Sequence, residues 1–476
     1  MINKCIMRNI KLVWYKRALL LLCFFSLAAV SCVEKHIKSY TTLELTNKFI
    51  LQYGAYYYLW ADKMNYDRDL SAYSDPFQLF DNLIYHDLDK WSYLTSDSKS
   101  LFESFQGIET SYGYSLSVIN FSTLKEYAAV INFVYPDSPA SKAGLKRGDL
   151  IYRIDGSPIT ESNYMNLFYS TSMTIELGEY DQVSKTLYQT GQTFNLTAVK
   201  LAIDAVNESR VIEAHGKKIG YICYTDYVES SHAKMSKICS DFKADGVTDV
   251  ILDLRFNPGG AIVTANYISS LFVPSEKITS GAVFLHEVWN KTLTDNWKLS
   301  GNVLFETFSK QALDYNMNLD RIYILTTSGT ASASEATIVG LMPYMDVVTI
   351  GENTHGKYCA ALLLQPYGPD GTIVSEISNW AMNLVAYKFA NNDGFTDFTG
   401  GLEPDYPVTY DILTKIPLGD TSDPMIAKAI ELITGVKPAA AAAVQNRADG
   451  SVHMSVQMTD SVNGFRGGMK KIAGNF

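Results

Sequence analysis

From about residue 210 the chain alternates two apolar patterns. "KKIGYICY", "VTDVILDLR", "RIYILTT" and "VVTIGE" are short and almost continuously apolar, as expected of strands covered on both faces. Between them, "SSHAKMSKICSDFKADG" and "GGAIVTANYISSLF" space their apolar residues at helical intervals, the first stopped by Gly246. Another helix is expected to begin near Ser332. Buried strands separated by helices predict a largely parallel sheet.

Upstream the pattern changes twice. Residues 108–205 hold short strands, "GYSLSVI", "YAAVINFVY" and "DLIYRIDG", around the loop "PDSPASKAGLKRGD", and predict a small, mostly β module. Residues 40–105 look helical and aromatic-rich, as in "LQYGAYYYLWADKM" and "SDPFQLFDNLIYHDLDKWSYL", with Asp75-Pro76 as a helix start. They are expected to pack a small helical domain. "KPAAAAAVQNRADG" reads as a linker to a tail of unassigned place in the fold.

The first residues read as a targeting segment. Lys4, Arg8, Lys11, Lys16 and Arg17 precede the 13-residue apolar run Ala18–Val30. A membrane-spanning helix needs roughly 20 apolar residues, so this run fits a secretory signal. It ends in "AAVSC", which resembles a bacterial lipobox with Cys32 as the acylated residue. Leu27 lies one place further upstream than the best pattern, and a plain signal peptide is the alternative. Cell-envelope localisation with a lipid anchor, facing periplasm or exterior, is the expectation.

The 476 residues are 47% hydrophobic and 19% charged, which is ordinary for a globular protein. A formal net charge of −10 argues against nucleic acid as a partner. Cysteines 5, 23, 32, 223, 239 and 359 show no CxxC and no clustering with histidine, so no metal site is expected. One disulfide among the last three is left open.

Three stretches carry candidate chemistry. "DLRFNPGG", Asp253–Gly260, gives a turn whose N–H groups can face a ligand. "TTSGTASASEATI", Thr326–Ile338, places Ser332 and Ser334 at a helix start, where "SASE" would also serve as a cap. "GENTHGKYC" sets Lys357 and His355 in a glycine-bounded loop. Each alone is weak.

Together they resemble the carboxyl-terminal processing (tail-specific) peptidases, a serine–lysine family. Its nucleophile lies in an "SAS-E" turn and its base in "GE-T-GK", 25 residues later; Ser332 and Lys357 match. "SPASKAGLKRGDLIYRIDG", Ser138–Gly156, resembles the second half of the family's PDZ-like module, and "GGLEPDYPV", Gly400–Val408, the segment closing its catalytic domain. The resemblance covers roughly residues 40–410. It implies a multi-domain α/β protein with a PDZ-like domain at 108–205 and a ClpP/crotonase-like catalytic domain at 206–436; with the readings above, the expected organisation adds a signal peptide 1–31, a lipid anchor and helical domain 32–107, and a linker with tail 437–476. The resemblance implies Gly259 and Gly260 as oxyanion-hole donors. It makes Tyr112, Gly113, Tyr114 and Ser115 a loop binding the C-terminal carboxylate of protein or peptide substrates, with no cofactor.

The implied mechanism is physical. A serine hydroxyl attacks only when a base takes its proton, and a lysine does so only when neutral, a form that burial favours. One departure stands out. A Gln or Glu four residues after the lysine helps to orient it in the family, and here that residue is Ala361. Gln365 lies four residues further, about 13 Å along a strand. Two readings follow: a serine endopeptidase selecting substrates by their C-termini, or a weak or inactive peptide-binding member of the fold. A polysaccharide-handling surface lipoprotein is a third, resting only on aromatic richness.

Overall fold

The computed structural model describes residues 40–121, 126–181 and 183–436. The signal segment, Cys32 and the tail from residue 437 lie outside them.

The chain opens with helices α1 (Thr42–Tyr57) and α2 (Pro76–Asp81), strand β1 (Tyr93–Thr95) and helix α3 (Ser98–Phe105). Asp75 caps α2 as its sequence predicts, accepting from Phe77 N–H at 2.9 Å. Strand β1 lies in a stretch whose pattern read as helical. Its partner decides it: Tyr93, Leu94 and Thr95 pair antiparallel with Asn383, Met382 and Ala381.

Residues 108–202 follow as β2 (Ile108–Ser111), β3 (Tyr114–Phe121), β4 (Glu126–Val134), α4 (Pro139–Lys142), β5 (Leu150–Ile154), β6 (Ser157–Pro158), α5 (Asn166–Tyr169), β7 (Ser172–Asp181), β8 (Thr186–Thr197) and β9 (Val199–Ala202). Strands β3-β4-β5-β7-β8 form one antiparallel sheet, with β3 at its edge, and β2 pairs β9. This module has a core of its own, around Leu116, Ile131, Ile151 and Ile175.

The rest carries β10 (Val206–Ala214), β11 (Lys217–Tyr224), α6 (His232–Asp245), β12 (Asp249–Asp253), α7 (Ile262–Ser270), α8 (Ser275–Thr279), β13 (Val283–Trp289), α9 (Lys291–Leu299), β14 (Phe305–Thr307), β15 (Arg321–Thr326), α10 (Ala333–Leu341), β16 (Asp346–Gly351), β17 (Cys359–Leu364), β18 (Ala381–Ala390), β19 (Tyr406–Pro407) and α11 (Pro424–Thr434). The main sheet runs β10-β11-β12-β15-β16-β19, parallel from β11 onward. Side chains alternate between its faces. Ile222, Leu252 and Ile324 pack toward α6, α7 and α10, while Tyr221, Ile251 and Leu325 pack toward α11. A second, antiparallel sheet joins β1, β13, β14 and β17 around β18.

Helices α1 and α2 build no separate core, whereas Leu101 of α3 packs with Tyr93 and Ala381 in a small cluster. Phe49, Ile50, Leu79 and Phe80 belong to the same cluster as Leu252, Ile268 and Ile338. Among the described residues no helix is long and apolar enough to cross a membrane.

Candidate functional site

The buried strands β12 and β15 lie side by side, and the turns leaving their C-terminal ends meet. The turn after β12 is anchored by Arg255, which is fully buried. Its guanidinium donates to Asp253 at 2.9 and 2.6 Å and to Asp423, at the start of α11, at 2.7 Å. Burial would raise the Asp253 carboxyl, but Arg255 and the hydrogen bonds around it more than offset this and hold it below the usual range.

The small hydroxyl residues after β15 are ties between loops. Thr327 Oγ1 donates to Arg255 O at 2.5 Å, Thr330 Oγ1 to Leu254 O at 2.9 Å, and Ser334 Oγ to Asn257 O at 2.9 Å. Thr326 Oγ1 donates to Glu352 O, and His355 N–H to Thr330 O, each at 2.9 Å. Three loops are thereby sewn together. Ser334 is a tie within this seam, whereas Ser332 faces a cavity.

Ser332 has φ 56°, ψ −111°, a left-handed conformation unusual for a side-chain-bearing residue. Holding such a residue costs on the order of 1–3 kcal/mol. The compensation comes from Glu335, which is fully buried. Its carboxylate accepts from Ser332 N–H at 2.8 Å, Lys357 N–H at 2.9 Å, Gly356 N–H at 2.6 Å and Thr354 Oγ1 at 2.5 Å. One side chain thus holds the backbone of both the serine turn and the lysine loop. Burial still pushes its pKa up, with these donors opposing the shift.

Ser332, Lys357, Gly260 and Ala361 line one cavity of about 300 Å³. The Lys357 Nζ lies 5.9 Å from the centroid of the Trp91 ring. Gly259 and Gly260 adopt φ 109° and 140°. A Cβ on Gly259 would come within 2.8 Å of Ser332 Cβ, and one on Gly260 within 2.4 Å of Tyr227 O, so both positions require glycine. Their N–H groups are not equivalent. Gly259 N–H, expected to be an oxyanion donor, here donates to Asn257 Oδ1 at 2.9 Å. Gly260 N–H has no partner among the described residues. Ala333, the first residue of α10, has no carbonyl one turn earlier to receive its N–H. The cavity therefore brings together Ser332, Lys357 and Gly260, with Ala333 next to the serine in sequence.

Of the four residues expected to bind a carboxylate, Tyr114 and Ser115 line a small cavity of about 50 Å³ shared with Leu167, Phe168, Thr225 and Phe256. Tyr112 and Gly113 do not line it. The buried Tyr112 hydroxyl donates to Ser170 O at 2.7 Å, and Gly113 N–H to Ser111 Oγ at 3.0 Å. The module is clamped beside this cavity by Arg147, which donates to Ile416 O at 2.9 Å and Tyr410 Oη at 3.1 Å and lies 5.2 Å from the Phe256 ring centroid.

Sequence reasoning missed the contributions of Trp91, Phe105, Glu306, Asn383 and Tyr387 to the region around Lys357, and treated Glu335 only as a cap. Among the described residues no group of three or more His, Cys, Asp or Glu could hold a metal ion. Cys223, Cys239 and Cys359 are buried free thiols, so the disulfide left open does not form among them.

Residues 218–408 match the model of peptidase family S41, residues 46–93 that of the S41 N-terminal domain, and residues 130–167 that of a PDZ domain. A carboxyl-terminal-processing protease of Picosynechococcus is 24% identical over 303 residues, covering 63% of this chain and 65% of that protein. Carboxyl-terminal-processing peptidase 2 of Arabidopsis thaliana is 24% identical over 318 residues, 65% of this chain and 55% of that protein. The chain spans less than two thirds of the length of these relatives. In fold, an S41-assigned chain from Bacteroides fragilis superposes with a TM-score of 0.66 at 24% identity, covering 82% of this chain and 97% of the other. The photosystem II D1 C-terminal processing protease does so with a TM-score of 0.50 at 17% identity, covering 85% and 99%.

Glu335→Gln turns one acceptor oxygen into an amide facing N–H donors. It is expected to cost about 3 kcal/mol of stability, read as a lowered urea midpoint. A loss below about 1 kcal/mol would show that the carboxylate does not hold the two loops.

Proposed function

We propose that this chain, which belongs to peptidase family S41 and carries a PDZ domain, is a serine endopeptidase acting through Ser332 and Lys357. The observation that carries the reading is their shared cavity with Gly260, the two loops being fastened by one buried carboxylate. Lys357 takes the Ser332 proton as Oγ attacks the peptide carbonyl, then returns it to the departing amine. The oxyanion is received by the N–H groups of Gly260 and Ala333, each such donor worth about 3–4 kcal/mol in comparable sites. Water, deprotonated by the same lysine, then releases the acyl group. Ala361 in the cavity wall favours the second reading, a weakly active peptide binder, because no side chain there orients the lysine.

Ser332→Ala is expected to abolish both peptide cleavage and labelling by a fluorophosphonate probe. Lys357→Ala should lower kcat/KM by roughly 10³-fold or more, and His355→Ala by less than about tenfold. In the wild type kcat/KM should rise with pH as Lys357 loses its proton. Activity retained in Lys357→Ala and lost in His355→Ala would assign the wrong base.

The PDZ module is proposed to select substrates by a free C-terminus, by strand addition along the edge strand β3 near Tyr114 and Ser115. A peptide with a free C-terminal carboxylate should be cleaved at least about fivefold faster than its amide, since amidation removes the charge that backbone donors would hold. Equal rates for both would exclude this selection.

The chain is further proposed to be a lipid-anchored envelope protein, supported by the basic leader, the apolar run and "AAVSC". Cys32→Ser should move it from the membrane to the soluble fraction. A mature N-terminus other than an acylated Cys32, read by mass spectrometry, would rule the anchor out.

A further inference from the structure

The cavity beside Ser332 has an apolar side, where Ile262 and Leu363 line it, and a wall of another kind. Glu306 on β14 lines that wall, one oxygen held by Asn266 Nδ2 at 3.0 Å, and it forms no ion pair among the described residues. Glu287 on β13 lies close enough for the two carboxylates to repel. Tyr387 is 8% exposed and lines the same cavity. Its hydroxyl lies in the field of both glutamates and has no hydrogen-bond partner among the described residues. Asn383, 4% exposed, also lines the cavity. Its Nδ2 donates one hydrogen to Trp91 O at 3.1 Å, and its Oδ1 is an acceptor.

Polar atoms are costly to strip of water unless the incoming group supplies their hydrogen bonds. A carboxylate and an amide oxygen accept only, and a phenol hydroxyl beside them can accept as well. A leucine side chain entering the cavity would desolvate this wall and leave it unanswered. A cation with several donors answers both the charge and the acceptors.

Resting on the peptidase reading, we propose that this wall makes the site prefer a lysine or arginine side chain flanking the scissile bond, with Glu306 the specificity-determining carboxylate. The chain's own cation in the cavity, Lys357, has its Nζ 5.9 Å from the centroid of the Trp91 ring and in the peptidase reading serves Ser332. The substrate's cation is a second one, placed between Glu306 and Tyr387.

Peptides varied among Lys, Arg, Leu, Ala and Glu on either side of one bond test this. The wild type should cleave the Lys and Arg peptides with kcat/KM at least about tenfold above the Leu peptide. Glu306→Gln should collapse that ratio to within about threefold of unity, and Glu306→Lys should favour the Glu peptide over the Lys peptide. Binding of the same peptides, fluorescently labelled, to Ser332→Ala reads the wall without catalysis. The Lys peptide should bind at least about tenfold tighter than the Leu peptide, and adding Glu306→Gln should remove the difference. Equal binding and equal cleavage of Lys and Leu peptides overturns the proposal, as does a Lys preference that survives Glu306→Gln. Cleavage without a basic preference defeats this proposal and leaves the peptidase reading intact. Lys-selective binding with no cleavage by the wild type does the reverse.

Discussion

The site depends on one buried carboxylate. Glu335 sits in the first turn of α10 and receives four hydrogen bonds, three from backbone N–H groups of Ser332, Gly356 and Lys357. Without such an acceptor those N–H groups would be buried and unpaired, and the left-handed Ser332 would have no reason to keep its conformation. The position of Ser332 and that of Lys357 are therefore not independent features. Each is fixed by the same oxygen atoms, and the threonine ties to residues 254 and 255 hold the glycine turn in register with both.

Local signals were readable in the chain and long-range ones were not. Ser332, Lys357 and the Gly259-Gly260 turn stand out because each lies in a short motif with its own backbone geometry. The parallel sheet was readable because strands covered on both faces cannot alternate. Strand β1 was not, since "YLT" becomes a strand only through pairing with β18. The same pairing brings Trp91 and Asn383 together, and no pattern within either segment announces it. The hydrogen bond of Gly259 was hidden for a different reason. Spacing places a glycine in the turn, but which N–H stays available depends on how the neighbouring Asn257 side chain folds back.

The aromatic wealth of residues 40–105 also changes meaning once folded. Most of those side chains extend the main core, Tyr93 and Phe105 pack in a small cluster with Ala381 and Leu363, and Trp91 and Phe105 reach the region of the lysine. The PDZ module keeps its own core and is attached by Arg147, a guanidinium shared among two acceptors and a ring of the other domain. The small cavity at Tyr114 and Ser115 opens against Phe256, three residues before Gly259, so the edge strand and the glycine turn share a wall.

The pairing of β1 with β18 has a consequence for the order in which the molecule comes into being. Asn383 donates to Trp91 across 292 residues of sequence. Contacts of that span form slowly, because a long loop must close before they repay its entropy. A chain still emerging from the ribosome can complete the PDZ module, but it cannot close the wall around Lys357 until residues 381–390 have been made. The cavity is thus among the last parts of the molecule to exist, and a partly synthesised chain carries Ser332 without the enclosure that surrounds it in the finished fold.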